Sequence, residues 1–494
     1  IKRIFTLTMT PKISRLTISS LFLLIWFVSS SSINAQVDTL SVYKNINDTQ
    51  WDLEDVLTIA LANNPDLRRA TLSVEDAERL VFIAYSNLVP DISTSMNYTR
   101  NVEIPVNFIP ESVFDPTGDP NKLVPIAFGT DNNWQGGFTI EQNIFQGPAL
   151  VGVSTATVFR AVQTENYRAT AQNVVTQARQ AYYRVLISQE VARLQGAQIN
   201  RLEENLSQNK KRAELGLLDD YDVLRLEVQL SNLRPSLIEA EYDIAEAKRV
   251  LALIMGIPVQ LEYGVKGDLN QFDIYSEQAV SQENLGIKQV DRMTQLPSQQ
   301  KGDGLGLDQQ RGDLRLLQAS LNLKDKEIQA EKARFLPVIT ANYNLQWSAA
   351  EPDSPTFFEN SARFQTIGLR VNMPLFSGWA RMSNLQRVQI SKKDLVLQQL
   401  QAQENASHQV QTAMEQVYES FEIAQARKEA VAQANEGYNR AQIRLDNGLG
   451  STLELTEALL QVKEAELNYA QTVFSYLTAK ANYDLAVGRV PLVD

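Results

Sequence analysis

The chain has no cysteine and one histidine, His408. The first absence excludes a disulfide framework, a thiolate metal site and an anchor carried on an N-terminal cysteine. The second leaves no Ser/His/Asp set, because His408 sits in a helical run far from any glycine elbow. A lone histidine there reads as a surface residue. Positive charge is short too. There are 46 Lys+Arg against 58 Asp+Glu, a net charge of -12, which lacks the basic patch a nucleic acid needs. The glycine-rich "KGDGLGLD" has no Lys-Ser/Thr and follows no strand, so it is not a phosphate loop. Carboxylates are plentiful but fall on helix surfaces, where charge serves solvation. No enzyme activity, cofactor or metal is expected.

Long apolar runs are scarce. "LFLLIWFV" (21–28) follows Lys12 and Arg15 and precedes "SSSSINA". It is too short to span a bilayer. It reads as the core of a secretory signal over residues 1–35, cleaved after Ala35. Nothing later offers about 20 consecutive apolar residues. An exported chain is expected, without a transmembrane helix.

What is present is written twice. "NNPDLRRA" resembles "QRGDLRLL", with Asp66 on Asp313. "SNLVPDIS" maps to "ARFLPVIT" and "NIFQGPA" to "PLFSGWA". Gly216 maps on Gly448, and Gly256 on Gly488. The landmarks keep their order, and one insertion separates the copies, between Pro90 and Phe145. The expected organisation is a first repeat over 36–256, a polar linker over 257–311 and a second repeat over 312–494.

In each repeat a helix (65–88; 312–335) ends at a proline, and two extended segments follow. They are expected at about 91–104 and 134–145, and at 338–350 and 364–376. Ile339, Ala341, Tyr343, Leu345 and Trp347 alternate with Thr340, Asn342, Asn344 and Gln346. Phe138, Ile140 and Ile144 alternate with Thr139, Glu141 and Asn143. Such alternation marks strands with one apolar and one wet face. A length near ten residues suits a tilted barrel strand, and Tyr98 and Trp347 suit an interfacial belt. The first tip, about 105–133, is rich in proline; the second is short. Four strands cannot close a barrel, since the smallest membrane barrels use about eight. Several copies must share one.

Long helices are expected at 149–212, 219–254, 379–446 and 451–487. The first spans roughly 95 Å at 1.5 Å per residue. Val410, Val417 and Ala424 on one helix, and Leu455, Leu459 and Val462 on the next, fall at coiled-coil spacing. Pro235 predicts a kink or local break near Ser231–Arg234. Gly216 breaks one pair of helices, and "DNGLGSTLEL" the other. Ser451 and Glu454 form an S-x-x-E capping box, and Asp219 or Asp220 caps the first return helix. Gly448 and Gly450 both tolerate positive φ. Each turn is the tip of a helical hairpin.

The plan resembles the TolC-like outer-membrane efflux protein family. The resemblance rests on "ALANNPDL", "SNLVP", "ARFLP", "QNIFQG", "MPLFSG", both tip sequences and the duplication itself. It implies a mixed α and β membrane protein: a homotrimer with a shared twelve-stranded β-barrel in outer-membrane lipid and a periplasmic α-barrel. It implies a Gram-negative outer-membrane channel that docks on a periplasmic adaptor and serves an inner-membrane efflux pump or ABC transporter. By the same resemblance, Gly216, Leu217, Gly448, Leu449 and Ser451 meet the adaptor, and Glu454 and Glu457 line an acidic entrance gate. A Tyr and an Arg that lock some relatives match Leu445 and Gly450, so that lock is absent. The competing reading is a periplasmic adaptor or coiled-coil scaffold. Adaptors carry one hairpin and a lipoyl-like β domain, and the duplication and membrane-like strands argue against it.

Overall fold

The computed structural model describes residues 50–114, 116–117, 119–216, 218–269, 307–352 and 361–490. The expected signal, most of the linker and Leu217 lie outside them. From Gln50 onward the chain forms one unit. A short strand β1 (Gln50–Trp51) leads to helices α1 (Leu53–Asn63) and α2 (Pro65–Ser86). Strands β2 (Asp91–Arg100), β3 (Val106–Pro110), β4 (Leu123–Ala127) and β5 (Asn132–Gln146) follow. Then come the long α3 (Gly147–Glu214), its return α4 (Asp220–Met255) and β6 (Gly264–Val265). The second half holds α5 (Leu307–Gln310), α6 (Gly312–Ala333), β7 (Val338–Glu351), β8 (Ser361–Asn372), α7 (Ala380–Asp446) and α8 (Thr452–Val487).

The four main strands pair antiparallel in the order β2-β5-β7-β8. The two repeats therefore join through β5 and β7, and β2 and β8 are the edges. Register sorts the side chains into two faces. Ile92, Ile140, Tyr343 and Ile367 form one row, and Thr94, Phe138, Leu345 and Gln365 the next on the same face. Ser93, Thr139, Asn344 and Thr366 lie on the opposite face, as do Asn143, Thr340 and Arg370. The alternation expected from sequence thus becomes an apolar face and an amide- and hydroxyl-lined face. Thr94 and Gln365 are polar exceptions on the first face and Phe364 an apolar one on the second. The register shifts between Asn143 and Phe145, so Ile144 falls in a bulge and Phe145 pairs with Ile339 in its place. Near the strand tips, Tyr98 and Trp134 rings lie 4.5 Å apart. At the other end Phe376 meets Trp379 edge-on at 6.2 Å, and both are exposed. The Tyr98–Trp134 pair lies on the apolar face, where an interfacial belt is expected.

The proline-rich tip contains a feature the sequence reading treated as loop. β3 and β4 make a separate two-stranded hairpin there. The linker also holds structure. β6 pairs in parallel with β1, and Tyr263 stacks on Trp51 at 4.7 Å.

Each repeat repeats one junction at mid-length. Asn64 caps α2, its Oδ1 accepting from the Asp66 and Leu67 amides, with Pro65 at the first helical position. Its Nδ2 donates to the Ile254 carbonyl at 2.8 Å. In the second repeat, Arg311 precedes α6 and its Nη1 donates to the Ala486 carbonyl at 2.9 Å. Ile254 and Ala486 each stand two residues before a glycine of positive φ, Gly256 (69°) and Gly488 (80°). A Cβ on Gly256 would lie 2.3 Å from the Asn63 carbonyl oxygen, and one on Gly488 2.7 Å from the Arg311 nitrogen. Both glycines are thus required twice over, for φ and for close approach.

The long helices pack along the seams that the heptads mark. Val410, Val417 and Ala424 are buried, as are Leu455, Leu459 and Val462. Towards the tips, Leu202, Leu206, Leu226, Leu230 and Leu459 share one apolar cluster, which joins both hairpins. Leu459 is 1% exposed, so truncation to alanine costs about 2–5 kcal/mol. α4 continues through Pro235 without interruption, so the expected break is absent. Pro235 lacks an amide, but neighbouring hydrogen bonds and packing against α3 hold the helix. Among the described residues no helix is long and apolar enough to cross a membrane.

Candidate functional site

The candidate site is the pair of helical tips. At the second, α7 ends in a Schellman motif. Gly448 adopts φ 71°, its amide donates to the Leu445 carbonyl, and the Leu449 amide donates to that of Arg444 at 2.8 Å. The Gly450 amide also donates to the Arg444 carbonyl, at 3.0 Å. Gly450 does not take positive φ, contrary to expectation, but its surroundings are tight. A Cβ there would lie 3.0 Å from the Leu445 nitrogen and 3.1 Å from the Arg444 Cβ. Around Gly448 a Cβ meets nothing within 4 Å, so only its φ demands glycine. Gly216, at φ 70°, stands in the same situation, and its amide donates to the Ala213 carbonyl.

Both return helices are capped. Asp219 accepts from the Tyr221 amide at 2.9 Å, and Ser451 Oγ accepts from the Glu454 amide at 3.2 Å. The second half of the expected capping box is not formed. The Glu454 carboxylate turns instead to Arg444, whose Nε lies 3.0 Å from Oε1. Arg444 Nη2 also donates to the Leu449 carbonyl at 3.2 Å. One guanidinium thus ties the end of α7 to the turn and to the first turn of α8. Glu457, one turn further, is exposed, and no ion pair involves it among the described residues. Leu449 is 74% exposed, an apolar side chain held in solvent at the tip.

Two contacts join the tips to each other. Arg212 Nη2 lies 2.8 Å from Asp446 Oδ1, linking the ends of α3 and α7. Thr452 Oγ1 donates to Asp222 Oδ1 at 2.9 Å, linking the starts of α8 and α4. Sequence reasoning singled out none of Arg444, Arg212, Asp446, Asp222 or Thr452. Arg444 adjoins Leu445, one of the two positions that match the lock of some relatives. The available signal was charge pairing across the turn: Arg444 and Glu454 stand ten positions apart, too far for a helical spacing rule to reveal.

The family model "Outer membrane efflux protein" matches residues 56–257 and 307–489, once over each repeat. The toluene efflux pump outer membrane protein TtgC of Pseudomonas putida is 20% identical over 438 residues, 88% of this chain and 82% of that protein. The outer membrane protein TolC of Salmonella enteritidis is 19% identical over 457 residues, 91% and 84% of the two chains. The Campylobacter jejuni CmeC outer membrane channel has the same fold at a TM-score of 0.67 and 16% identity, covering 88% of this chain and 85% of that one. A duplicated chain, an amphipathic sheet with two open edges and paired helical hairpins meet in one assignment: the protein belongs to the outer membrane efflux protein family, the β-barrel and α-helical tunnel channels of Gram-negative outer membranes.

Proposed function

We propose that three copies of this chain assemble into one outer-membrane conduit of a tripartite efflux or type I secretion system. The observation that carries this reading is the agreement of two sets of edges. In the sheet, β2 and β8 have no neighbours on their outer sides among the described residues. Beside the sheet the helices pack in the order α2, α3, α6, α7, and towards the tips in the order α4, α3, α8, α7. In every layer the first repeat supplies one edge and the second repeat the other. These helical edges also carry exposed apolar side chains: Phe82 and Ile83 on α2, Tyr242 on α4, Ile390 and Leu397 on α7. A repeat of the chain beside itself covers all of them in a single operation. Three chains supply twelve strands. The apolar face of the sheet then meets lipid, and the amide-lined face meets water.

At the far end, the tips are the surface for a periplasmic adaptor, which connects the conduit to an inner-membrane pump or ABC transporter. Gly216, Gly448, Leu449 and Ser451 shape that surface, with Leu217 between them in sequence. Glu454 and Glu457 stand where three chains converge and make the entrance acidic. Light scattering of the purified chain, corrected for detergent, is expected to return a trimer, and planar bilayers a conductance. A stable monomer rejects the reading.

A further inference from the structure

The β3–β4 hairpin has a face that is left largely exposed among the described residues. Its register places Val106 opposite Ala127, Phe108 opposite Pro125, and Pro110 opposite Leu123. These six side chains share one face, and all are apolar. Val106 is 48% exposed, Phe108 66% and Leu123 55%. The other face, with Ile109, Val124 and Ile126, is half-buried. A lone two-stranded hairpin is marginal in water, and a contiguous exposed apolar face marks a contact.

We propose that this face packs on a second copy of the chain, over the outer end of the neighbour's β7–β8 pair, and clasps the seam between copies. The proposal rests on the trimeric reading above. Three observations select this occupant. First, the hairpin grows from the tip end of β2, the edge strand, so it stands beside the seam where the next copy's β8 would pair. Second, only the first repeat carries the insertion, so each seam receives one hairpin from one side. Third, the insertion is acidic. Residues 101–131 carry five Asp or Glu and one Lys. The same acidity disfavours the phosphate-bearing lipid of an outer leaflet, which would repel it.

The absence of cysteine makes the test clean. The full-length chain is given Phe108→Cys together with Ser361→Cys and treated with a thiol-reactive cross-linker in detergent. The expected result is a covalent ladder ending at the trimer, with neither single variant cross-linking alone. An intact trimer that gives no ladder from the double variant overturns the proposal, as does self-linking of the Phe108→Cys chain. A wild-type chain that is not trimeric by light scattering instead overturns the underlying reading. As a second arm, Phe108→Asp with Leu123→Asp is expected to lower the temperature at which the trimer dissociates on unboiled gels. An unchanged temperature overturns the clasp. Should that variant fail to fold, the cross-linking arm decides.

Discussion

Arg444 Nε lies 3.0 Å from Glu454 Oε1, across the turn that separates α7 from α8. Three residues further along α8, Glu457 is exposed and without an ion pair among the described residues. The two carboxylates share a helix face but not an electrostatic setting, and this orders their effects.

Removing Glu457 is expected to change ion selection more than removing Glu454. A ring of unpaired carboxylates attracts cations, and Arg444 already offsets Glu454. In planar bilayers, Glu457→Gln should reduce both cation preference and block by multivalent cations applied from the periplasmic side. Adding Glu454→Gln should reduce them a little further. Unchanged reversal potentials and block in the folded double variant would take both residues out of the gate.

Arg444→Gln should act in the opposite direction. It frees the Glu454 carboxylate and raises cation preference. Both groups are about half exposed, so the lost ion pair costs stability only about 0–1 kcal/mol. A thermal unfolding midpoint close to wild type with a shifted reversal potential is the expected pair of results. No shift would mean that Glu454 does not face the permeating ion.

Gly448→Val and Gly216→Val introduce no clash, because the space around both positions is open. The cost is backbone alone, about 1–2 kcal/mol for a left-handed residue. The tip is expected to distort and adaptor affinity to fall, with the trimer intact. Pull-down with a cognate adaptor and light scattering measure the two separately. Loss of the trimer in both variants would assign these turns to folding alone.

The Arg212–Asp446 and Thr452–Asp222 contacts hold one hairpin tip against the other. Asp446→Asn with Thr452→Val removes both and should raise mean single-channel conductance. A conductance identical to wild type would show that the tips are held by the apolar cluster around Leu459 instead.

Acid should loosen the helices through Glu165. Arg315 binds its carboxylate by two hydrogen bonds of 2.6 Å, and this pairing holds the Glu165 pKa below the ordinary glutamate range. A lowered folded pKa means that the unfolded chain takes up the proton first as pH falls. The contribution is therefore complete above the ordinary range and lost as pH drops through the lowered value. Glu165→Gln should flatten that acid limb in thermal unfolding. An acid limb identical to wild type would remove the pair from the stability profile.

Much of this was legible because it obeys short-range periodicity. The two faces of the sheet follow from alternation such as Ile339 to Trp347, and the duplication from landmarks such as Gly256 and Gly488. Three things were not legible. The bulge at Ile144 depends on the partner strand, not on its own sequence. The β3–β4 hairpin is hidden by its prolines: Pro110 and Pro125 suggest loop, yet both sit in an isolated pair, where every strand is an edge that tolerates proline. The tip ion pairs join residues whose neighbourhood exists only once the hairpins have closed. Asn64 and Arg311 show the same limit, as unlike side chains that reach equivalent carbonyls.

The open edges of the sheet bear on how the molecule is made. A single chain exposes the backbone amides and carbonyls of β2 and β8 along their outer sides. In hydrocarbon each such group costs several kcal/mol, so a lone copy has no favourable path into a bilayer. In water the same edges invite indiscriminate strand pairing. On the proposed assembly, entry into the membrane and the joining of copies become one event, with a rate that falls steeply when protein is scarce. Overproduction that outruns this event is expected to yield aggregates instead of unassembled subunits in the membrane.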